Sequence, residues 1–117
     1  MEVRDASNAK DVKYYTTDRL REEFHISNLF PADEVRMVYS HIDRIITGAA
    51  VPVEPIALTA GDELRAEYFC QRRELGVINI GGAGTISIDG KVYKVGFKEA
   101  MYIGMGSKDI VFASDDA

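Results

Sequence analysis

A glycine cluster is the first candidate for chemistry, because backbone amides in glycine-rich loops bind phosphates. Residues Gly81 to Gly84 read GGAG, and Gly90-Lys91 follows. Five residues separate Gly84 from Gly90, whereas a P-loop has four, and the residue after Lys91 is neither Ser nor Thr. A dinucleotide fingerprint needs a third glycine where this chain has a serine, and a helix after it. The cluster therefore predicts a bend between strands rather than a phosphate site.

A second set of residues has the spacing of a metal site but not its usual ligands. Five residues separate Gly61 from Glu67, and Phe69, Glu74 and Gly81 follow at set intervals. This spacing resembles the first motif of the cupin family, small double-stranded β-barrels of the jelly-roll type. In that motif a His-x-His pair stands where this chain has Glu67 and Phe69. The resemblance implies the barrel but not the two histidine ligands.

The second cupin motif fits residues 98–113 in the same incomplete way. Gly106 matches the motif glycine, while Gly104 stands in place of proline. The histidine position carries Asp109 and the asparagine position carries Ala113. The barrel pattern is thus present, and all three metal-binding histidines are absent.

An alternative metal site would use carboxylates alone. Zinc and related metals in catalytic sites usually have three protein ligands, mostly imidazole. Glu67, Glu74 and Asp109 could supply three oxygen ligands instead, but unpaired carboxylates in a narrow barrel repel one another and lose their hydration. We therefore predict no metal in this chain, with Phe69 filling the interior and the acids facing solvent or pairing with basic side chains.

Three further residues are candidates for binding a substrate. Arg72 and Arg73 are adjacent, and arginine binds carboxylates through two parallel hydrogen bonds. His41 alternates with Asp43 on a predicted strand next to Arg44, which would give a polar cluster at a pocket or interface. Each has a plainer interpretation, as a surface ion pair or a solvated strand face. No residue is predicted to be catalytic.

The elements that would carry these residues are mostly short strands. One helix is predicted over 16–24, where Thr16 or Thr17 can cap it and Leu20 and Phe24 share a face. The two-proline segment 50–63 suits an edge strand or a connection. Asp89-Gly90 favours a type I′ hairpin turn. Alternation and β-branched content predict strands at about 36–48, 65–70, 76–80, 85–88, 91–95, 100–106 and 109–114.

These elements predict an all-β fold: a cupin-like double-stranded β-barrel, or jelly roll, with a short N-terminal helix. We place an N-terminal arm at residues 1–35 and a degenerate cupin barrel at 36–117. By the strand count the barrel lacks its closing strand, and an open edge invites pairing with another segment. We therefore interpret the chain as a fragment of a longer protein rather than a free-standing one.

Composition excludes several classes of function. The chain has 117 residues, 46% of them hydrophobic, and a net charge of −5. An acidic chain without clusters of basic residues is not expected to bind nucleic acid. No apolar run approaches the length of a membrane span, and the start has no apolar signal segment. A single cysteine, Cys70, fits a reducing compartment, so we predict a cytoplasmic protein.

Longer stretches carry a narrower resemblance. MVYSHIDRIITG, RRELGVINIGGAGTISIDGK and VFAS resemble the N-terminal half of the 4-deoxy-L-threo-5-hexosulose-uronate ketol-isomerase family, from about Val3 to Ser114. This resemblance implies a bicupin that interconverts 5-keto-4-deoxyuronate and its diketo isomer in pectin and uronate breakdown. It also implies a homo-oligomer, a hexamer in that family, and zinc held by three His and one Glu of the C-terminal cupin.

Two functions therefore compete at this point. In the first, the chain is the metal-free half of a zinc-dependent isomerase, inactive by itself, which scaffolds the catalytic barrel and builds the oligomer. In the second, it is a free-standing non-catalytic cupin that binds a small acid or forms an assembly surface. Continuation of the reading frame into a His-x-His segment would distinguish the two.

Overall fold

The computed structural model describes residues 1–116, and within them the secondary structure is predominantly β. Two compact units are formed: residues 1–31 with 36–49, and residues 32–35 with the segment from 50 onward. No helix among the described residues is long and apolar enough to cross a membrane. The elements are β1 Glu2–Arg4, a 3-10 turn Val12–Tyr14, α1 Thr17–Phe24, β2 Val35–Ser40, β3 Ile45–Ala50, β4 Ile56–Ala57, a 3-10 turn Phe69–Gln71, β5 Leu75–Ile78, β6 Gly84–Ile88, β7 Lys91–Val95, β8 Ala100–Ile103 and β9 Ile110–Ser114.

The first unit combines the helix with a three-stranded sheet of order β1-β2-β3. Strand β1 runs parallel to β2, with Val3 opposite Tyr39. The predicted helix is confirmed: the Thr16 hydroxyl accepts a hydrogen bond from the Arg19 amide at 3.2 Å, which caps α1. Val38 on β2 is 4% exposed, whereas no α1 residue is buried.

The predicted single strand at 36–48 is wrong, because the structure divides it into β2 and β3. A turn occupies residues 41–44. Asp43 and Arg44 have φ values of 56° and 52°, in the left-handed region that ends a strand. His41 and Asp43 therefore lie in this turn and not on one strand face.

The second unit contains a four-stranded sheet of order β4-β9-β6-β7 and a two-stranded sheet of β5 and β8. The predicted hairpin is confirmed: β6 and β7 are antiparallel, and Asp89 and Gly90 have φ values of 49° and 85°. A type I′ turn requires positive φ at both central residues. The two-proline segment is also as predicted, because β4 is a short edge strand beside β9.

Aliphatic side chains from both sheets form the interior of this unit. The buried residues are Ala60, Phe69, Cys70, Ile86, Val95, Ile103 and Ile110, each 6% exposed or less. Ile86 on β6 stands opposite Tyr93 on one side and Phe112 on the other. Alternation in these strands thus directs one residue in two toward the core.

The predicted strand at 65–70 is wrong, since this segment forms turns and then a 3-10 turn. The Arg65 amide donates to the Asp62 carbonyl at 3.2 Å, and the Gln71 amide donates to the Tyr68 carbonyl at 3.2 Å. Arg65 has a φ of 48°, which an extended strand does not permit. Local hydrogen bonds in this segment therefore replace a strand ladder.

The GGAG segment is a bend between β5 and β6, as predicted. Asn79 holds it: its Nδ2 donates to the carbonyls of Gly82 and Val95 at 2.9 Å each, and its Oδ1 accepts from the Gly81 amide at 2.9 Å. A Cβ atom at Gly84 would lie 2.5 Å from the Ala113 carbonyl oxygen, so glycine permits the close approach of β6 and β9.

The all-β class with one short helix is confirmed, and it fits a cupin-like arrangement of sheets. The strands of residues 1–116 form three separate sheets, none of which closes on itself. The jelly-roll connectivity remains a prediction. The domain boundary between residues 35 and 36 falls inside β2 and likewise stays a prediction.

Candidate functional site

Arg72 and Arg73 follow the 3-10 turn and precede β5. The Arg72 guanidinium donates to the Arg65 carbonyl at 3.2 Å, and the side chain is exposed. The Arg73 guanidinium carbon lies 5.8 Å from the centre of the Phe69 ring, within the range of a cation–π contact. Each arginine is thus held by a separate contact, and a role of the pair in binding a carboxylate stays a prediction.

His41 belongs to the first unit, whereas the two arginines belong to the second. Its amide donates to the Arg4 carbonyl at 2.9 Å, which extends the pairing of β1 and β2 into the turn. Its ring centre lies 5.1 Å from that of Tyr39, in a tilted arrangement. These contacts account for a structural histidine, and a part in substrate binding stays a prediction.

The three candidate acids are exposed and have separate surroundings. The pKa of the Tyr102 hydroxyl is raised above its usual value, and hydrogen bonding with Glu74 is the main cause. The backbone amide of Glu67 donates to the Gln71 side chain at 2.9 Å. The amide of Asp109 donates to the Asp89 carboxylate at 2.8 Å. Phe69 is 4% exposed and fills the interior, as predicted.

The donor set of this chain does not fit zinc. Within residues 1–116 no three His, Cys, Asp or Glu side chains come close enough together to hold a metal ion. At the motif positions, Phe69 offers no ligand atom and is buried, and Glu67 is exposed. No chemical step through a metal is therefore assigned to these residues.

Cys70 is fully buried beside Phe69, with an exposed fraction of 0%. Burial raises the pKa of its thiol, and the positive charge of Arg73 opposes this shift in part. Its carbonyl accepts from the Gly106 amide at 2.8 Å, which ties the 3-10 turn to the loop after β8. A buried thiol with a raised pKa is a poor nucleophile, so Cys70 is a packing residue.

An apolar hollow on the β5–β8 sheet was not predicted from the sequence. It has a volume of about 480 Å³ and is lined by Gly76, Val77, Ile78, Ala100, Met101 and Tyr102. No lining residue is charged. The sequence did carry a signal, because LGVINI and AMYI are nearly continuous apolar runs, which is typical of strands covered on both faces.

Comparison with known families identifies the class of protein. The model of the KduI/IolB family matches residues 25–117, which is most of the chain. The chain therefore belongs to the KduI/IolB family.

Curated relatives extend this similarity over the whole chain. A 4-deoxy-L-threo-5-hexosulose-uronate ketol-isomerase from Lachnoclostridium phytofermentans is 70% identical over 118 aligned positions, covering 100% of this chain and 43% of the relative. Proteins of the same name from Lachnospira eligens and Escherichia coli are 54% and 50% identical. The chain thus corresponds to the N-terminal part of these isomerases and spans less than half of their length.

Proposed function

We propose that this chain is the N-terminal half of a ketol-isomerase that interconverts 5-keto-4-deoxyuronate and its diketo isomer in the breakdown of pectin-derived uronates. The observation that carries the proposal is the 70% identity, along the entire chain, to a relative named for this reaction. The family match over residues 25–117 supports the same assignment.

In this proposal the N-terminal half is a scaffold, and the chemistry takes place in the rest of the enzyme. Zinc is bound by residues outside these 117. The support is the donor set: Phe69 stands at a cupin histidine position and is packed in the core. Replacing Phe69 with a smaller metal-binding side chain would leave a cavity in the core, and the stabilisation provided by the buried ring would be lost.

This chain would contribute to substrate binding through Arg72 and Arg73. A uronate carries a carboxylate, which an exposed guanidinium binds with two hydrogen bonds. Arg72 has one donor committed to the Arg65 carbonyl, and arginine has five N–H donors in all. His41 is the remaining candidate for this role.

The proposal also includes assembly into a homo-oligomer, a hexamer by family resemblance, and a cytoplasmic location. Exposed apolar side chains support the assembly: Phe97 is 60% exposed and Met105 is 62% exposed. Exposed apolar surface of this kind is common at interfaces between proteins. The lone cysteine supports a reducing compartment.

The first experiment is an isomerisation assay with the purified keto-deoxyuronate. We compare the 117-residue chain, with and without added zinc, against the full-length L. phytofermentans relative. The proposal expects turnover only from the full-length protein. Turnover by the folded 117-residue chain would contradict the scaffold role.

A second comparison tests the chain's place in the enzyme. Residues 1–117 are joined to the remainder of the L. phytofermentans relative, and the chimera is assayed in the same way. Activity close to that of the natural relative supports the proposal. A folded, inactive chimera would favour the competing function, a non-catalytic cupin that binds a small acid.

A further inference from the structure

One surface of the second unit is apolar without being covered. In the antiparallel β5–β8 sheet, Gly76 stands opposite Tyr102 and Ile78 stands opposite Ala100. Ile78 is 70% exposed and Tyr102 is 67% exposed, whereas their strand neighbours Val77 and Ile103 are partly or fully buried. Gly76, Ile78, Ala100 and Tyr102 thus form an outer face, and these four residues line the hollow of about 480 Å³ together with Val77 and Met101.

This outer face differs from that of the neighbouring hairpin. Antiparallel strands with one solvated face alternate between apolar and polar residues. Strand β6 follows that rule, because Thr85 and Ser87 alternate with the buried Ile86. The β5–β8 sheet breaks it, since its outward positions are held by Gly76, Ile78, Ala100 and Tyr102 rather than by strongly polar side chains. Its pattern is that of a sheet covered on both faces.

Polar groups at this surface are already paired with the chain itself. Glu74 lies near the Tyr102 hydroxyl and raises its pKa, mainly through hydrogen bonding. The ladder continues past β5, where the Asn79 amide donates to the Glu99 carbonyl at 2.9 Å and the Asn79 carbonyl accepts from the Lys98 amide at 2.7 Å. An occupant would therefore meet apolar side chains and satisfied backbone, which suits a packing contact rather than a small polar ligand.

The position of β9 indicates which segment can reach this surface. The Asp115 amide, just after β9, donates to the Ala83 carbonyl at 3.1 Å. Ala83 is five residues beyond Ile78 and three beyond Ile80, which is 64% exposed. Chain geometry limits these Cα separations to roughly 18 Å and 11 Å. Residues that follow β9 therefore start within reach of Ile80 and Ile78.

Relatives supply the length of chain needed to cover the outer face. This chain spans 43% of the L. phytofermentans isomerase and 42% of the one from Lachnospira eligens, as their N-terminal part. More than half of each relative thus follows the region described here. A second copy of this chain is the competing occupant, and it would protect the face to a degree that depends on protein concentration.

We propose that the outer face of the β5–β8 sheet is the docking surface for the segment that follows β9 in the longer protein. The segment packs apolar side chains over Ile78 and Tyr102 and fills the hollow between them. This inference rests on the proposed function, in which the chain is one half of a longer enzyme, and it names the surface that joins the halves.

The test measures access to the outer face by thiol labelling with a maleimide. Ile78→Cys places a reactive thiol on the outer face, and Val92→Cys places a matched thiol on β7, where Val92 is 61% exposed. Each is made in the 117-residue chain and in the chimera with the remainder of the L. phytofermentans relative. Native Cys70 is fully buried, so its labelling reports unfolding in every sample.

We expect the introduced thiol of the I78C variant to label in the short chain and to label about tenfold or more slowly in the chimera, since a covered thiol is shielded from reagent. The V92C control should label at the same rate in both. Equal rates for I78C in both proteins would overturn the proposal. Protection in the short chain that grows with its concentration would also overturn it, in favour of a second copy.

Two additional measurements keep the outcome unambiguous. If Cys70 labels in the chimera, the same two substitutions are made at the aligned positions of the natural full-length relative, which does not depend on the junction. Isomerase activity is measured on each unlabelled protein. An active enzyme with a freely labelled outer face contradicts the docking surface alone, whereas a protected face without activity contradicts the proposed function alone.

Discussion

At the scale of single residues, Asp89 links two parts of the second unit. Its Oδ1 accepts from the Lys108 amide at 3.1 Å and from the Asp109 amide at 2.8 Å, while its own amide donates to the Asp109 carbonyl. It also occupies a left-handed turn position, which aspartate tolerates better than most residues. One side chain therefore closes the hairpin and fixes the start of β9.

Asp89→Ala should lower the free energy of unfolding by about 1 to 2 kcal/mol, because two amide hydrogen bonds to a charged acceptor are lost at an exposed site. Asp89→Asn keeps the Oδ1 acceptor and should lose less than half as much. Urea denaturation of the chain measures both. Asp62→Ala is the matched control, and an equal loss in that variant would contradict the role of Asp89.

Cys70 makes stability depend on pH in a defined direction. Burial raises the pKa of the folded thiol, so the unfolded thiol loses its proton first as pH rises. The stabilisation is complete below the unfolded pKa of about 8.5 and is lost above it, until the folded thiol also ionises. Between pH 7 and 10, the free energy of unfolding should fall more steeply for the natural chain than for Cys70→Ala, as measured by urea denaturation. Parallel pH profiles would count against this account.

Among the elements, the GGAG bend contains two glycines that differ in how much space their surroundings leave for a side chain. A Cβ atom at Gly84 would lie 2.5 Å from the Ala113 carbonyl oxygen, whereas one at Gly82 would meet nothing within 4 Å. The first glycine is needed for the pairing of β6 with β9, and the second is not.

Gly84→Ala should therefore cost about 1 to 3 kcal/mol of stability, since β6 must move away from β9 to make room. Gly82→Ala should change stability by no more than about 0.5 kcal/mol. Thermal or urea unfolding of both variants, with circular dichroism to confirm the sheet content, makes the comparison. Similar losses in the two variants would show that the close approach is not limiting.

Helices, strands and turns were predicted correctly where nearby residues specify the backbone conformation. Asp89-Gly90 specifies its own turn, and Thr16 caps α1 with its own hydroxyl. Prediction failed at 41–44 and at 65–70, where Arg44 and Arg65 adopt left-handed φ values that their residue type does not suggest. Arginine has no preference for this backbone region, so the residue types at these positions did not signal a turn.

At the scale of the whole molecule, the two units differ in how much apolar surface they bury. Among the described residues of the first unit, Val38 is the buried core side chain, and Phe30 and Ile45 are 58% and 59% exposed. The second unit buries Ile86, Ile103 and Ile110 together with other apolar residues. Because the second unit buries more apolar side chains, we expect it to resist local unfolding better than the first unit.

Amide hydrogen exchange should show this difference in the isolated chain. We expect amides of β2 to have exchange free energies lower than those of β6 by about 2 kcal/mol or more, the worth of one buried aliphatic side chain. Mass spectrometry of peptides from the two strands provides the measurement. Equal protection of β2 and β6 would mean that the two units open together.

The printed residues were enough to predict the all-β class, the capped helix, the hairpin, the buried Phe69 and the family membership suggested by the longer motifs. These follow from local periodicity and from residue types whose preferences need no distant partner. Three features could be seen only in the folded chain: Asn79 braces the glycine bend, Cys70 is buried in the core, and Ile78 and Tyr102 share one uncovered face. Each of these depends on residues far apart in the chain that strand pairing brings together, and pairing between β5 and β8 is not encoded by either strand alone.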